Sequence, residues 1–192
     1  MLRFLTYITP GSTVLDYGCG AGNLSHTLWE RGFKPLGSDV SESFISLARE
    51  TYPEIGFLKA TSKDLFKMGL RFDAIVCAYS VIHLSPYMLQ YALLDFKKLI
   101  NRDGYLYLSL QNSLDDQDGY TWEKHSIPYR PEMNLWINTF TAFDIKYLLV
   151  HYGFEVIDIS FRDPVENEFP FRKMFVIAKN NNTKPSIGSF YF

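Results

Sequence analysis

At 192 residues with 47% hydrophobic content, the chain is long enough for one domain with a sizeable core and too short for two ordinary ones. A formal net charge of −2 supplies no basic excess, which speaks against a nucleic-acid partner. Two cysteines, Cys19 and Cys77, are too few for a disulfide framework, and no apolar run nears the ~20 residues that cross a bilayer, so the expected setting is cytoplasmic, without a membrane partner.

In chain order, residues 1–10 carry enough apolar side chains for one or two helical turns. An apolar strand then ends in Asp16 within VLDYGCGAG, where glycines stand at every second position, Gly18, Gly20 and Gly22. Glycine permits positive φ and lets a ligand approach the main chain, so this turn reads as a floor for a nucleotide-like ligand, with a helix N-terminus beneath it. Leu24, Leu28 and Trp29 recur at helical spacing up to Gly32. A second strand over 33–39 ends in Asp39. Ser41 is placed to cap a helix whose apolar face would be Phe44, Ile45, Leu47 and Ala48. A third strand covers 55–59. Alternation of strand and helix predicts a parallel sheet with right-handed crossovers.

Residues 61–71 are polar and hold no strong helical pattern. The run FDAIVCA at 72–78 reads as a strand covered on both faces. Pro86 opens a helix whose buried face would be Tyr87, Tyr91, Leu94 and Leu99, and Asp103-Gly104 turns the chain into a strand at 105–110. The pattern breaks over 111–139, with clustered acids, two prolines and scattered aromatics, and such a long irregular segment is expected to act as a lid or substrate loop. Thr141 caps a helix through His151, and strands follow at 154–161 and 171–178. The domain is expected to span 1–180, with 181–192 a loose tail.

Asp39 lies about 20 residues past the glycine turn, where a carboxylate can accept both hydroxyls of a ribose. The competing reading is a helix-capping acid before SESF. Asp16 stands two residues before Gly18. A dinucleotide's pyrophosphate would be repelled there, whereas an ammonium would be attracted, and Asn23 occupies the position where the dinucleotide spacing wants glycine.

These residues resemble the class I S-adenosylmethionine-dependent methyltransferases, in D-x-G-x-G-x-G at 16–22, the acid at Asp39, the stretch FDAIVCAYSVIHL and the closing helix, YGFEVIDI and FVIAK. The resemblance implies an α/β fold, a single Rossmann-like doubly wound sheet of order 3-2-1-4-5-7-6 with an antiparallel final strand. It further implies S-adenosylmethionine as methyl donor and S-adenosylhomocysteine as product. Gly18 and Gly20 would lie against the methionyl part, Asp16 near its ammonium and Asp39 at the ribose hydroxyls, with Gly22, Val40 and Tyr79 also in the donor site. Thr61 stands where the family often has an acid for the adenine amino group, so adenine recognition would fall to Thr61, Ser62 or main chain.

Methyl transfer from a sulfonium needs alignment in a dry cavity and no metal. A base is needed where the acceptor atom carries a proton, and His83, after the fourth strand, is the candidate, with a packed structural histidine as the alternative. Tyr79 either lines the methyl site or packs as ordinary aromatic core. Tyr7, Trp122, His125, Tyr129 and Arg130 are the candidate residues for a small-molecule acceptor. His125 and Arg130 read equally as solvated loop residues. With few residues before the first strand, cover over the donor would fall to 111–139, to a homodimer mate or to a partner subunit. The rival reading is a methyltransferase-like binding module without its own activity. A nicotinamide-dependent oxidoreductase ranks third.

Overall fold

β1 (Thr13–Tyr17) and β2 (Lys34–Asp39) pair in parallel, with Asp16 opposite Gly37, and each ends where the glycine turn or Asp39 begins. The computed structural model describes residues 1–112, 121–127, 130–166 and 168–181. β3 (Gly56–Lys59) extends the sheet beyond β2, and β4 (Phe72–Ala78) and β5 (Ile100–Asn112) extend it on the other side of β1, all in parallel. β9 (Arg172–Asn180) then pairs antiparallel with β5, and β8 (Phe154–Arg162) antiparallel with β9. The main path is therefore β3-β2-β1-β4-β5-β9-β8, which is the order 3-2-1-4-5-7-6 once the two last predicted strands are matched to β8 and β9.

Three helices, α1 (Leu2–Leu5), α2 (Asn23–Glu30) and α3 (Glu42–Thr51), cover one face through Phe4, Leu28, Ile45 and Ala48. On the other face lie α4 (Ser62–Lys67), α5 (Pro86–Leu99) and α6 (Ala142–His151), which bury Leu65, Leu93, Phe96 and Leu149 in the largest apolar cluster. Each such side chain taken from water contributes roughly 1.5–3 kcal/mol. Both faces being covered explains the near-continuous apolar run of β4. Among the described residues, no helix is long and apolar enough to cross a membrane.

Three sequence expectations are corrected. Residues 61–71 do hold a helix, α4, because Thr61 and Asp64 form a reciprocal capping box that frees it from dependence on a long apolar face. The segment 111–139 is not irregular throughout. β5 runs to Asn112, and β6 (Thr121–Ile127) and β7 (Arg130–Phe140) form an antiparallel hairpin, joined to the sheet where Gln111 and Asn112 pair with Thr139 and Phe140. Among the described residues of the hairpin, 137–140 at the base of β7 are the buried ones, so the hairpin shows no clean period-2 apolar pattern. Two helix faces differ from expectation: on α3, Phe44 and Leu47 are each 48% exposed while Ile45 and Ala48 are buried, and on α5, Tyr87 and Tyr91 are exposed while Leu89, Leu93 and Phe96 are buried with Leu99. The tail beyond Asn181 lies outside the described residues.

Candidate active site

The glycine turn is held by the end of β2. Gly18 N and Cys19 N both donate to the Ser38 carbonyl, at 2.7 and 3.0 Å. Gly20 N donates to Asp39 Oδ2 at 3.0 Å, and Ser41 N to Oδ1 at 2.9 Å. Each carboxylate oxygen keeps a free lone-pair direction after these bonds. Gly18 has φ +71°, and a Cβ there would stand 2.1 Å from Ser80 Oγ, so only glycine lets the turns after β1 and β4 approach this closely. A Cβ on Gly20 would meet nothing within 4 Å.

That open space belongs to a cavity of about 430 Å³ at the carboxyl ends of the strands, the edge where open α/β sheets bind ligands. Its floor is Tyr17, Gly18 and Gly20, and one wall carries Ser38 and Asp39. Beside Asp39, Val40, Phe44 and Ala60 form an apolar slot, with Val40 64% exposed. The Ser38 hydroxyl is buried and has no hydrogen-bond partner among the described residues. Ala78, Tyr79, Ser80, His83 and Leu84 close the opposite wall.

Asp16 lies beneath the floor, 1% exposed, with Ser25 Oγ donating to its Oδ2 at 2.6 Å. Burial pushes its pKa up to about 6, the Ser25 bond works against that rise, and the charge of Asp39 adds to it. Burial likewise pushes the Cys19 and Cys77 thiols up to about 12, leaving them unreactive small core residues. Gly22 serves packing rather than the cavity, since a Cβ there would stand 2.7 Å from the Phe57 ring.

On the far wall, Tyr79 takes φ +55°, a strained conformation for a bulky side chain that often marks functional sites. Burial raises the pKa of its hydroxyl, and the Arg162 guanidinium beside it pulls the other way. Arg162 itself is fixed by Glu168, whose two carboxylate oxygens lie 2.8 and 2.9 Å from Nη2. His83 is exposed rather than core, and its Nδ1 lies 2.9 Å from the Trp136 carbonyl of β7. Asn138, two residues on, donates to the carbonyls of Val81 and Leu84, so the hairpin grips the 3-10 turn Val81–His83 that carries the imidazole.

The structure thus gathers Gly18, Gly20, Asp39, Val40, Tyr79 and His83 around one cavity. Thr61 and Ser62 stay outside it, because Thr61 caps α4 and the Ser62 hydroxyl donates to Asp95 at 3.0 Å. Tyr7 is at the opposite edge of the sheet, packed on Tyr105 at 5.4 Å in a groove shared with Asp73 and Gly104, which removes it from any acceptor site here. Trp122 stacks on Trp136 at 4.4 Å and His125 meets Phe171 edge-on at 4.8 Å, and neither lines the cavity. Tyr129 and the Arg130 side chain lie outside the described residues. Sequence reasoning missed Ser38, Phe44, Ala60 and Ser80. Ser38 precedes the acid it named, but nothing local separates such a serine from any strand residue. Among the described residues, no cluster of three or more His, Cys, Asp or Glu could hold a metal ion.

Comparison with known proteins gives a consistent picture. The chain is 33% identical over 78 residues to the magnesium-protoporphyrin O-methyltransferase of Synechocystis and 29% identical over 135 residues to the ribosomal protein L11 methyltransferase of Campylobacter concisus. Those matches cover 38% and 69% of this chain but only 34% and 47% of the relatives' own lengths. Among solved structures, a SAM-dependent methyltransferase of Methanosarcina mazei superposes with a TM-score of 0.78 at 17% identity, over 97% of this chain and 98% of the other. A 1,6-didemethyltoxoflavin-N1-methyltransferase of Burkholderia thailandensis, with bound S-adenosylhomocysteine, gives 0.74 at 18%, over 94% and 76%. The family model described as a methyltransferase domain matches residues 1–159, and the chain belongs to that family, with the class I S-adenosylmethionine-dependent methyltransferase fold.

Proposed function

We propose that the chain binds S-adenosylmethionine in the cavity over its glycine turn and transfers the methyl group to a small-molecule acceptor. The observation that carries this reading is the shape of the donor floor. Gly20 leaves open the space a Cβ would take, and its amide is tied to Asp39, whose carboxylate lines the same cavity. Asp39 would accept the ribose hydroxyls through its free lone pairs, Val40, Phe44 and Ala60 would hold the adenine, and Asp16 would attract the ammonium from below.

The bound donor supplies an electrophilic methyl on a sulfonium. The chain's own residues orient, desolvate and manage a proton. The Trp136 carbonyl can only accept, so Nδ1 of His83 carries its hydrogen, and in the neutral ring the lone pair is on Nε2, ready to take a proton from the acceptor. Several relatives are named for small-molecule acceptors, including a ubiquinone biosynthesis O-methyltransferase 32% identical over 80 residues. One is named for a ribosomal protein. An enclosed wall at Tyr79, Ser80 and Leu84 favours the former.

Calorimetric titration with S-adenosylhomocysteine, with NADH as control, tests the donor site. Micromolar binding of the first alone is the expected result; binding of neither, or of NADH, overturns the reading.

A further inference from the structure

Beside Asp39 the cavity is walled by Val40, Phe44 and Ala60, side chains that carry no polar atom. The polar side chains next along the chain are spent on α4. Thr61 Oγ1 donates to Asp64 Oδ2 at 2.6 Å, and the same carboxylate oxygen accepts from Thr61 N at 3.1 Å. The Ser62 hydroxyl donates to Asp95. Two neighbouring carbonyls already accept, Asp39 O from Ala60 N and Thr61 O from Leu65 N. Strand alternation sends the buried Ser38 side chain to the face of β2 opposite Asp39, and Tyr17 packs edge-on against Phe96 of α5 at 4.8 Å. Among the described residues, the slot therefore offers contact area and no uncommitted side-chain acceptor. Its rim is open, with Val40 64% and Phe44 48% exposed, so the edge of a planar ligand that passes between them meets water.

Resting on the donor reading above, we infer that the slot holds the base of S-adenosylmethionine by shape alone and leaves its 6-amino group in water, so that the chain accepts donors altered at that position. An exocyclic amino group donates and needs an acceptor fixed in place; one that stays hydrated exchanges no hydrogen bond on binding and adds nothing to affinity. Contact of the base with the Phe44 ring and with Val40 and Ala60 supplies the attraction instead. Polar recognition of the nucleoside then rests with Asp39, whose two oxygens are fixed by Gly20 N and Ser41 N.

Calorimetry with the full chain compares S-adenosylhomocysteine with two analogues, one with hydrogen in place of the 6-amino group, which keeps every ring nitrogen, and one bearing an N6-methyl group. Both are expected to bind within about threefold of the parent compound. Phe44→Ala is expected to weaken all three by at least about fivefold with their ratios unchanged. Thr61→Ala should lower the melting temperature, because the cap of α4 is lost, and keep all three affinities within about threefold of wild type. A loss above about threefold for either analogue, a loss in Thr61→Ala confined to the parent compound, or undiminished affinity in Phe44→Ala overturns the inference while S-adenosylhomocysteine binding leaves the donor reading standing. Binding of none of the three overturns that reading, and this inference with it.

Discussion

The Gly20 amide donates to Asp39 Oδ2 across 3.0 Å, so the glycine turn and the acid that ends β2 form one unit rather than two independent contacts. Asp39 also accepts from Ser41 N, which fixes the chain entering α3. Asp39→Asn keeps the side-chain shape but loses charge and offers only one accepting oxygen. A hydrogen bond to a charged group contributes about 1.5–3 kcal/mol, so S-adenosylhomocysteine affinity should fall about ten- to a hundredfold. Asp39→Ala should weaken binding further and also lower the melting temperature, because two backbone amides lose their acceptor. Calorimetry and thermal melts separate the two effects. An affinity within about threefold of wild type in both variants would remove Asp39 from the ribose site.

Gly18 and Gly20 should fail in different ways. Alanine at Gly18 drives a Cβ into Ser80 Oγ and Cβ, at 2.1 and 2.4 Å, so Gly18→Ala should unfold or strongly destabilise the chain. Alanine at Gly20 has room and costs only its positive φ, roughly 1 kcal/mol, yet its methyl projects into the cavity. Gly20→Ala is expected to stay folded, by circular dichroism, and lose donor binding. Adding Ser80→Gly should recover part of the stability lost in Gly18→Ala and none of the binding lost in Gly20→Ala. That pattern is a double-mutant cycle in which only the touching pair couples.

The glycine-turn side of the cavity was legible because its determinants are local in sequence. A glycine turn, an acid at a strand end and a serine cap each depend on a few neighbouring residues, and the alternation of strand and helix supplies the sheet order. The opposite wall was not, because its parts meet only through long-range pairing. His83 reaches the Trp136 carbonyl 53 positions away, and Tyr79 feels the charge of Arg162 at the end of β8. Trp122, His125 and Tyr7 drew attention as conspicuous residue types, but strand register and sheet edge decide where such residues stand. The Thr61 expectation failed for a local reason, since its hydroxyl pairs with Asp64 at 2.6 Å and is spent on capping α4.

Asn138 couples the hairpin to the wall that carries His83. It is fully buried and donates to the Val81 and Leu84 carbonyls, on either side of His83. Asn138→Ala leaves those buried carbonyls short of a donor, at a cost of about 1–3 kcal/mol, and loosens the alignment of Trp136 with the imidazole. Turnover should fall at least about tenfold while S-adenosylhomocysteine affinity holds within about threefold, since Asn138 does not line the cavity over the glycine turn. His83→Gln should show the same split with no loss of melting temperature. Equal losses of affinity and turnover in Asn138→Ala would mean that the hairpin supports the whole cavity rather than the acceptor wall.

Asp16 makes donor binding and stability respond to pH in opposite directions. With its folded-state pKa raised to about 6 from an ordinary 3.8, the native chain holds this proton more tightly than the unfolded one. The stability it contributes is complete below about pH 4 and is lost as pH rises through 6. An ammonium ligand favours the ionised form instead. At pH 5 only about a tenth of Asp16 is ionised, so S-adenosylhomocysteine should bind about tenfold more weakly than at pH 7.5, with proton release on binding that is greatest between about pH 5 and 6 and fades by pH 7. Buffers of different ionisation enthalpy in calorimetry read that release directly. Asp16→Asn should flatten both profiles and bind at pH 7.5 no better than wild type does at pH 5. A wild-type affinity independent of pH between 5 and 7.5 would place the ammonium elsewhere and leave Asp16 as a buried partner of Ser25 alone.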